Sequence, residues 1–269
     1  MADPLKLLAV FPHPDDESLG LGGTLAKYSA EGVETYLVCA TRGERGWNGP
    51  EDRNPGLAAL GKIREGELKC AADTLGLKEV TFLNYIDGDV DQANPKQIIA
   101  DITTQIRRIQ PQVVVTFSLD GSYGHPDHIA LAQFTSAALV CAAADSYQDP
   151  QKQAVHQVAK HYYMVDTKAM VEELKLGIGG ISMEIDGVER SHIGWADWAI
   201  SARIDVSQYF DTVWQAILCH QSQLPGYGPL INLPREALTK FIGEGTFLRA
   251  FSMVSGGRGV EHDLFEGLR

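Results

Sequence analysis

A chain of 269 residues and 29.3 kDa is long for one domain and short for two, and neither a Ser/Pro-rich linker nor a block of charge divides it. Hydrophobic residues at 44% and charged residues at 22% suffice for a two-sided core and argue against disorder. A formal net charge of -12 argues against a protein that reads a nucleic-acid backbone, and no apolar run nears the roughly 20 residues that span a bilayer, so a small polar substrate is expected.

Met1-Ala2-Asp3-Pro4 lacks the basic start of a signal peptide, so a cytoplasmic location is expected. Leu7-Leu8-Ala9-Val10-Phe11 is an apolar run stopped by Pro12 and Pro14, which reads as a buried parallel strand. His13-Pro14-Asp15-Asp16-Glu17 therefore emerges at a carboxyl end, where open α/β sheets bind ligands. Neighbouring carboxylates beside an imidazole repel one another in a dry crevice, and a divalent cation is the simplest way to hold them ionised.

Gly20-Leu21-Gly22-Gly23-Thr24 opens a helix running to about Ala30, with Gly32 as its stop, and Val33 to Ala40 reads as the second strand. A dinucleotide fingerprint would need glycine where Leu25 stands, so these glycines are expected to serve close helix packing. The loop Arg42 to Pro50 falls at the same sheet edge as His13. In the next helix, about Ala58 to Leu75 with Gly76 as cap, Arg64 and Glu67 lie within the apolar stripe. Such a pair either bonds internally or reaches a polar cavity.

Glu79 to Tyr85 reads as the third strand, with Asp87 in the turn beyond it. Pro95 begins a helix ended by Pro111, and Gln112 to Phe117 is a central fourth strand. Beyond it stands the second polar stretch, Gly124-His125-Pro126-Asp127-His128, with Pro126 opening a helix to about Ala144. Lys160 to Val165 looks like another strand, and Leu176 to Val188 has four glycines, as in a short hairpin, a mobile connection or a lid. Ala202 to Val206 is a final strand candidate and about Tyr209 to Ser222 a helix carrying His220, while the last forty residues show no clear architecture. Cys39, Cys70, Cys141 and Cys219 are widely spaced and are expected to be buried free thiols.

Two strand-end loops thus supply His13, Asp15, Asp16 and Glu17 on one side and His125, Asp127 and His128 on the other, which points to one joint metal site. Two imidazoles and a carboxylate with open positions suit a zinc hydrolase or a non-haem iron oxygenase, and a non-catalytic metal-binding protein is the third alternative. Hydrolysis needs a base and an oxyanion donor, which Asp15 and His125, oriented by Asp127, supply.

These motifs, with Gly22-Gly23-Thr24, Thr41-Arg42-Gly43-Glu44, Arg64-x-x-Glu67 and Asp87-Gly88, are similar to the PIG-L/LmbE-like family of zinc deacetylases that act on N-acetylglucosamine-containing molecules. The similarity covers about the first half of the chain, and Ile204-Asp205-Val206 and His220-Gln221-Ser222-Gln223 fit more loosely. The resemblance implies a Rossmann-like α/β fold: a mostly parallel sheet in one domain with helices on both faces. It implies a motif-bearing half over about 1–145 and a substrate-shaping half over about 146–269. It further implies that His13, Asp16 and His128 bind one Zn2+ (or another divalent metal such as Fe2+), that Asp15 is the general base, and that His125, supported by Asp127, steadies the oxyanion with Tyr123 as second donor. Arg64 and Asp87 would hold the sugar of a small amino-sugar conjugate. A homo-oligomer remains among the allowed assemblies.

Overall fold

The computed structural model describes residues 4–149, 151–180, 182–185, 187–254, 257 and 259–269. At its centre lies a seven-stranded sheet of β1 (Lys6–Phe11), β2 (Glu34–Cys39), β3 (Glu79–Phe82), β4 (Val113–Phe117), β5 (Lys160–Met164), β6 (Ala202–Asp205) and β7 (Glu244–Ser252). The spatial order is β6-β7-β5-β4-β1-β2-β3, parallel from β5 to β3. β7 runs antiparallel to β5, and β6 antiparallel to β7.

Leu7 to Phe11 are wholly buried, as befits a strand covered on both faces. Alternation along β1 divides the core. Leu7, Ala9 and Phe11 pack with Leu25, Tyr28, Leu68 and Ala216 on one side, while Leu8 and Val10 pack with Ile98, Ile102, Ile106 and Leu131 on the other. The helices Gly22–Ala30, Leu57–Leu75 and Phe210–Cys219 cover the first face, and Pro95–Ile109 and Pro126–Ala143 cover the second. Connections leave β1 toward β2 and β3 and then return to β4 on the opposite side. A topological switch point therefore opens between the carboxyl ends of β1 and β4.

The local signals explain the helices. Asn94 accepts a hydrogen bond from the Lys96 N–H ahead of Pro95, and Gly76 ends its helix in the left-handed region at φ 76°. Gly23 serves close packing: a Cβ there would stand 2.4 Å from Cγ2 of Val206. The hairpin reading of the glycine-rich stretch also holds, since Ser182–Ile185 pairs with Val188–Ser191 after a helix over Lys168–Ile178; Ile181 and Asp186 lie outside the described residues.

Three expectations are corrected. Ala202–Asp205 is not the last strand, because β7 follows it from within the stretch that showed no architecture and inserts between β6 and β5. The helix expected to reach Ser222 ends at Cys219, and His220 to Gly226 form turns. Cys70 and Cys219 are not free thiols but a disulfide, with 5.8 Å between Cα atoms and a separation of 149 positions in the chain. Cys39 and Cys141 are free.

Candidate metal centre and its base

Both polar loops arrive at the switch point. After β1 the chain turns sharply, and Asp15 takes φ 114° and ψ -27°, a conformation that costs a non-glycine residue on the order of 1–3 kcal/mol. Backbone contacts over-determine it. The Asp15 carbonyl accepts from the N–H groups of Ser18 and Leu19, and its own N–H donates to Glu17 Oε2 at 2.9 Å. After β4, Gly121 and Ser122 turn the backbone at φ 71° and 67°, and His125 caps the helix that begins at Pro126.

One ligand atom from each of His13, Asp16 and His128 lies within 4.8 Å of the others, and all three residues are buried. Nδ1 of His13 is 3.6 Å from Asp16 Oδ2, and Nε2 of His128 is 3.7 Å from Asp16 Oδ1. These contacts are too long for hydrogen bonds. Among the described residues neither ring nitrogen of His128 has a hydrogen-bond partner of ordinary geometry, although the residue is 1% exposed. An imidazole orphaned in this way beside a carboxylate and a second imidazole is what a cation site presents. Burial, with Asp15 adding to it, raises the Asp16 carboxyl well above the ordinary range, and burial lowers His128 well below it. The Asp16 shift expresses a carboxylate that lacks a compensating positive charge, and the His128 shift leaves its ring neutral, the form that ligates a cation.

His13 is oriented from behind. Its Nε2 faces Asp127 Oδ2 at 3.0 Å and Asp87 Oδ1 at 3.2 Å, so Nε2 carries the proton and Nδ1 is left to face the cluster. The Asp127 carboxylate also accepts from the N–H groups of Gly88 (2.7 Å) and Val90 (3.0 Å). The sequence reading has Asp127 support His125, and the contact between them runs through the backbone: the N–H of Asp127 donates to His125 Nδ1 at 3.1 Å. An amide hydrogen can be received only by an unprotonated nitrogen, so His125 carries its proton on Nε2. Burial pushes its pKa down to about 4, so the ring is a neutral donor at neutral pH. The rings of His13 and His125 stand 4.9 Å apart, those of Tyr123 and His128 5.2 Å. Burial holds the Tyr123 phenol protonated.

Arg64 is 3% exposed and faces protein: it donates to the carbonyls of Gly43 (2.8 Å) and Pro14 (2.6 Å) and to Asp15 Oδ2 (3.2 Å). Among the described residues Arg64 and Glu67 do not form an internal pair: Glu67 binds the N–H and hydroxyl of Ser222. Asp87 likewise serves His13 and accepts from the Arg45 N–H. Sequence reasoning missed Tyr227, whose hydroxyl donates to Asp15 Oδ2, and gave no role to His220, whose Nε2 meets Glu17 Oε1 at 2.8 Å. The stretch His220-Gln221-Ser222-Gln223 stands out in the sequence, but Tyr227 sits between two glycines with no periodic signal.

A family model for PIG-L, GlcNAc-PI de-N-acetylase, matches residues 8–139. A 1D-myo-inositol 2-acetamido-2-deoxy-alpha-D-glucopyranoside deacetylase from Kineococcus radiotolerans is 38% identical over 63% of this chain, and the match spans 54% of that relative. The protein of the same description from Kribbella flavida is 31% identical over 98% of each chain. Among solved structures, N,N'-diacetylchitobiose deacetylase from Pyrococcus horikoshii superposes with a TM-score of 0.64 at 22% identity, covering 89% of this chain and 74% of that one. A 4-carboxy-2-hydroxymuconate hydratase from Pseudomonas putida gives 0.68 at 21%, covering 94% and 99%. At such identities the superpositions establish the fold, which evidently carries more than one chemistry.

Proposed function

The chain belongs to the PIG-L family, and on that premise we propose that it is a zinc-dependent hydrolase that removes the acetyl group from an N-acetylglucosamine-type conjugate, giving free amine and acetate. The observation that carries this reading is the buried imidazole of His128, unpartnered among the described residues, converging with His13 and Asp16.

His13, Asp16 and His128 would hold the ion, which when bound acts as a Lewis acid toward the amide carbonyl and makes water more acidic. Asp15 is the general base. Arg64 and Tyr227 both bind its Oδ2, and Oδ1 carries none of the described hydrogen bonds, so that oxygen takes the proton of the attacking water. Oxygen adds to the carbonyl carbon, the C–N bond breaks, and the proton held by Asp15 passes to the departing nitrogen. His125 Nε2–H, with Tyr123 beside it, donates to the oxyanion. Asp127 fixes this donor through its backbone and fixes His13 through its carboxylate. In this reading Arg64 and Asp87 shape the sugar side from behind, through the loop at Gly43 and through His13.

An iron oxygenase on the same ligands has no use for a base with one oxygen pinned and a neutral donor opposite. No helix among the described residues is long and apolar enough to cross a membrane, and action in the cytoplasm on a small amino-sugar conjugate belongs to this proposal. Acetate release from N-acetylglucosamine conjugates, beginning with the inositol conjugate, by chelator-treated and zinc-restored protein is the test. The expected result is zinc-dependent acetate with one equivalent of amine. Oxygen uptake without acetate would overturn the reading.

A further inference from the structure

Asp15 can work as a base only if its unusual backbone is held, and the acceptor of its N–H is Glu17 Oε2 at 2.9 Å. The Glu17 side chain is fully buried, and its Oε1 accepts from Ser18 Oγ at 2.5 Å and from His220 Nε2 at 2.8 Å. A buried carboxylate needs a compensating group, and among the described residues the basic side chain paired with Glu17 is His220, itself 1% exposed. Remove it, and Glu17 loses the partner that fixes its Oε1, so that the orientation of Oε2, the acceptor for the Asp15 N–H, is no longer set from that side.

His220 is itself held by a frame independent of Glu17. Cys219 is bonded to Cys70, Ser222 binds Glu67 through N–H and hydroxyl at 2.7 Å each, and Gln223 donates to the Gly46 carbonyl at 2.8 Å and accepts from Asn48 at 2.7 Å. The turn therefore delivers an imidazole to the back of the base without drawing on the contact it makes there. We propose that His220 is a positioning residue for the reaction, setting the orientation of Asp15 through Glu17. The inference rests on the reading of Asp15 as the base.

The test uses the full-length, zinc-loaded protein and the N-acetylglucosaminyl-inositol conjugate, with His220→Asn, His220→Gln, Glu17→Gln and the double variant H220N/E17Q beside Asp15→Asn. Gln places its amide nitrogen where Nε2 stands, whereas Asn falls short. His220→Asn is expected to lower kcat by about 10–100-fold, the usual size of an outer-partner effect, with zinc at one per chain and KM within about threefold. His220→Gln is expected to recover most of the rate, and the double variant to lose no more than Glu17→Gln alone. Unchanged kcat in His220→Asn, equal loss in His220→Gln, additive losses in the double variant, or loss of zinc or folded protein in His220→Asn would each overturn the proposal. Full turnover by Asp15→Asn would instead remove the base itself, which separates the two failures.

Discussion

Oε1 of Glu17 lies 2.8 Å from Nε2 of His220, although 203 residues separate them in the chain. The motif after β1 is thus completed by a turn that follows the helix Phe210–Cys219. The distal half supplies Tyr227 to Asp15 and His220 to the Glu17 that supports it.

Asp15→Asn keeps the shape but cannot accept the proton. Turnover is expected to fall by about 10²–10⁴-fold while the metal content stays at one ion per chain, as measured by acetate release and elemental analysis. Undiminished turnover would require another base.

His125→Ala leaves His13, Asp16 and His128 in place and removes the neutral Nε2–H donor. The expected loss is about 10²–10³ in kcat with little change in KM, the pattern of an interaction made chiefly in the transition state. A variant with raised KM and normal kcat would make His125 a ground-state contact.

The Glu17–His220 pair gives a stability signature in pH. Among its shifts the largest single influence on each group is burial, which opposes charge, yet the partner prevails: Glu17 is lowered and His220 raised. A lowered carboxylate stabilises the fold above its unfolded value of about 4.3 and loses that contribution as pH falls through the folded value. A raised histidine contributes fully below about 6.5 and ceases to as pH rises through its folded value. Denaturant unfolding of wild type against His220→Gln should therefore show its widest gap between these limits and a narrowing gap on either side. A gap independent of pH would show the pair to be uncharged.

Joining Cys70 to Cys219 closes a long loop, which constrains the unfolded chain. Replacing both by serine is expected to lower unfolding free energy by about 2–4 kcal/mol in denaturant titrations under non-reducing conditions. Equal stability with and without a dithiol would show that the bond does not contribute.

The part legible in the sequence is the part written in short-range pattern. Continuous apolar runs marked β1 and β4, Gly76 and Pro95 marked helix ends, and the polar residues after Phe11 and Phe117 followed from strand termini. Long-range and irregular features left weaker traces. β7 has a register shift between Arg249 and Phe251, so its alternation breaks, and its partners are strands from distant segments. The disulfide has no spacing signature across 149 residues. The roles of Asp127 divide between a carboxylate on His13 and a backbone N–H on His125, a distinction that depends on atoms rather than residue types.

The central claim is that His13, Asp16 and His128 share a single ion. Anomalous diffraction at the zinc edge from crystals of zinc-loaded protein tests it most directly. The account predicts one peak per chain about 2.0–2.2 Å from a nitrogen of each histidine and an oxygen of Asp16, absent in His128→Ala. A peak elsewhere, or one that survives in His128→Ala, would contradict it.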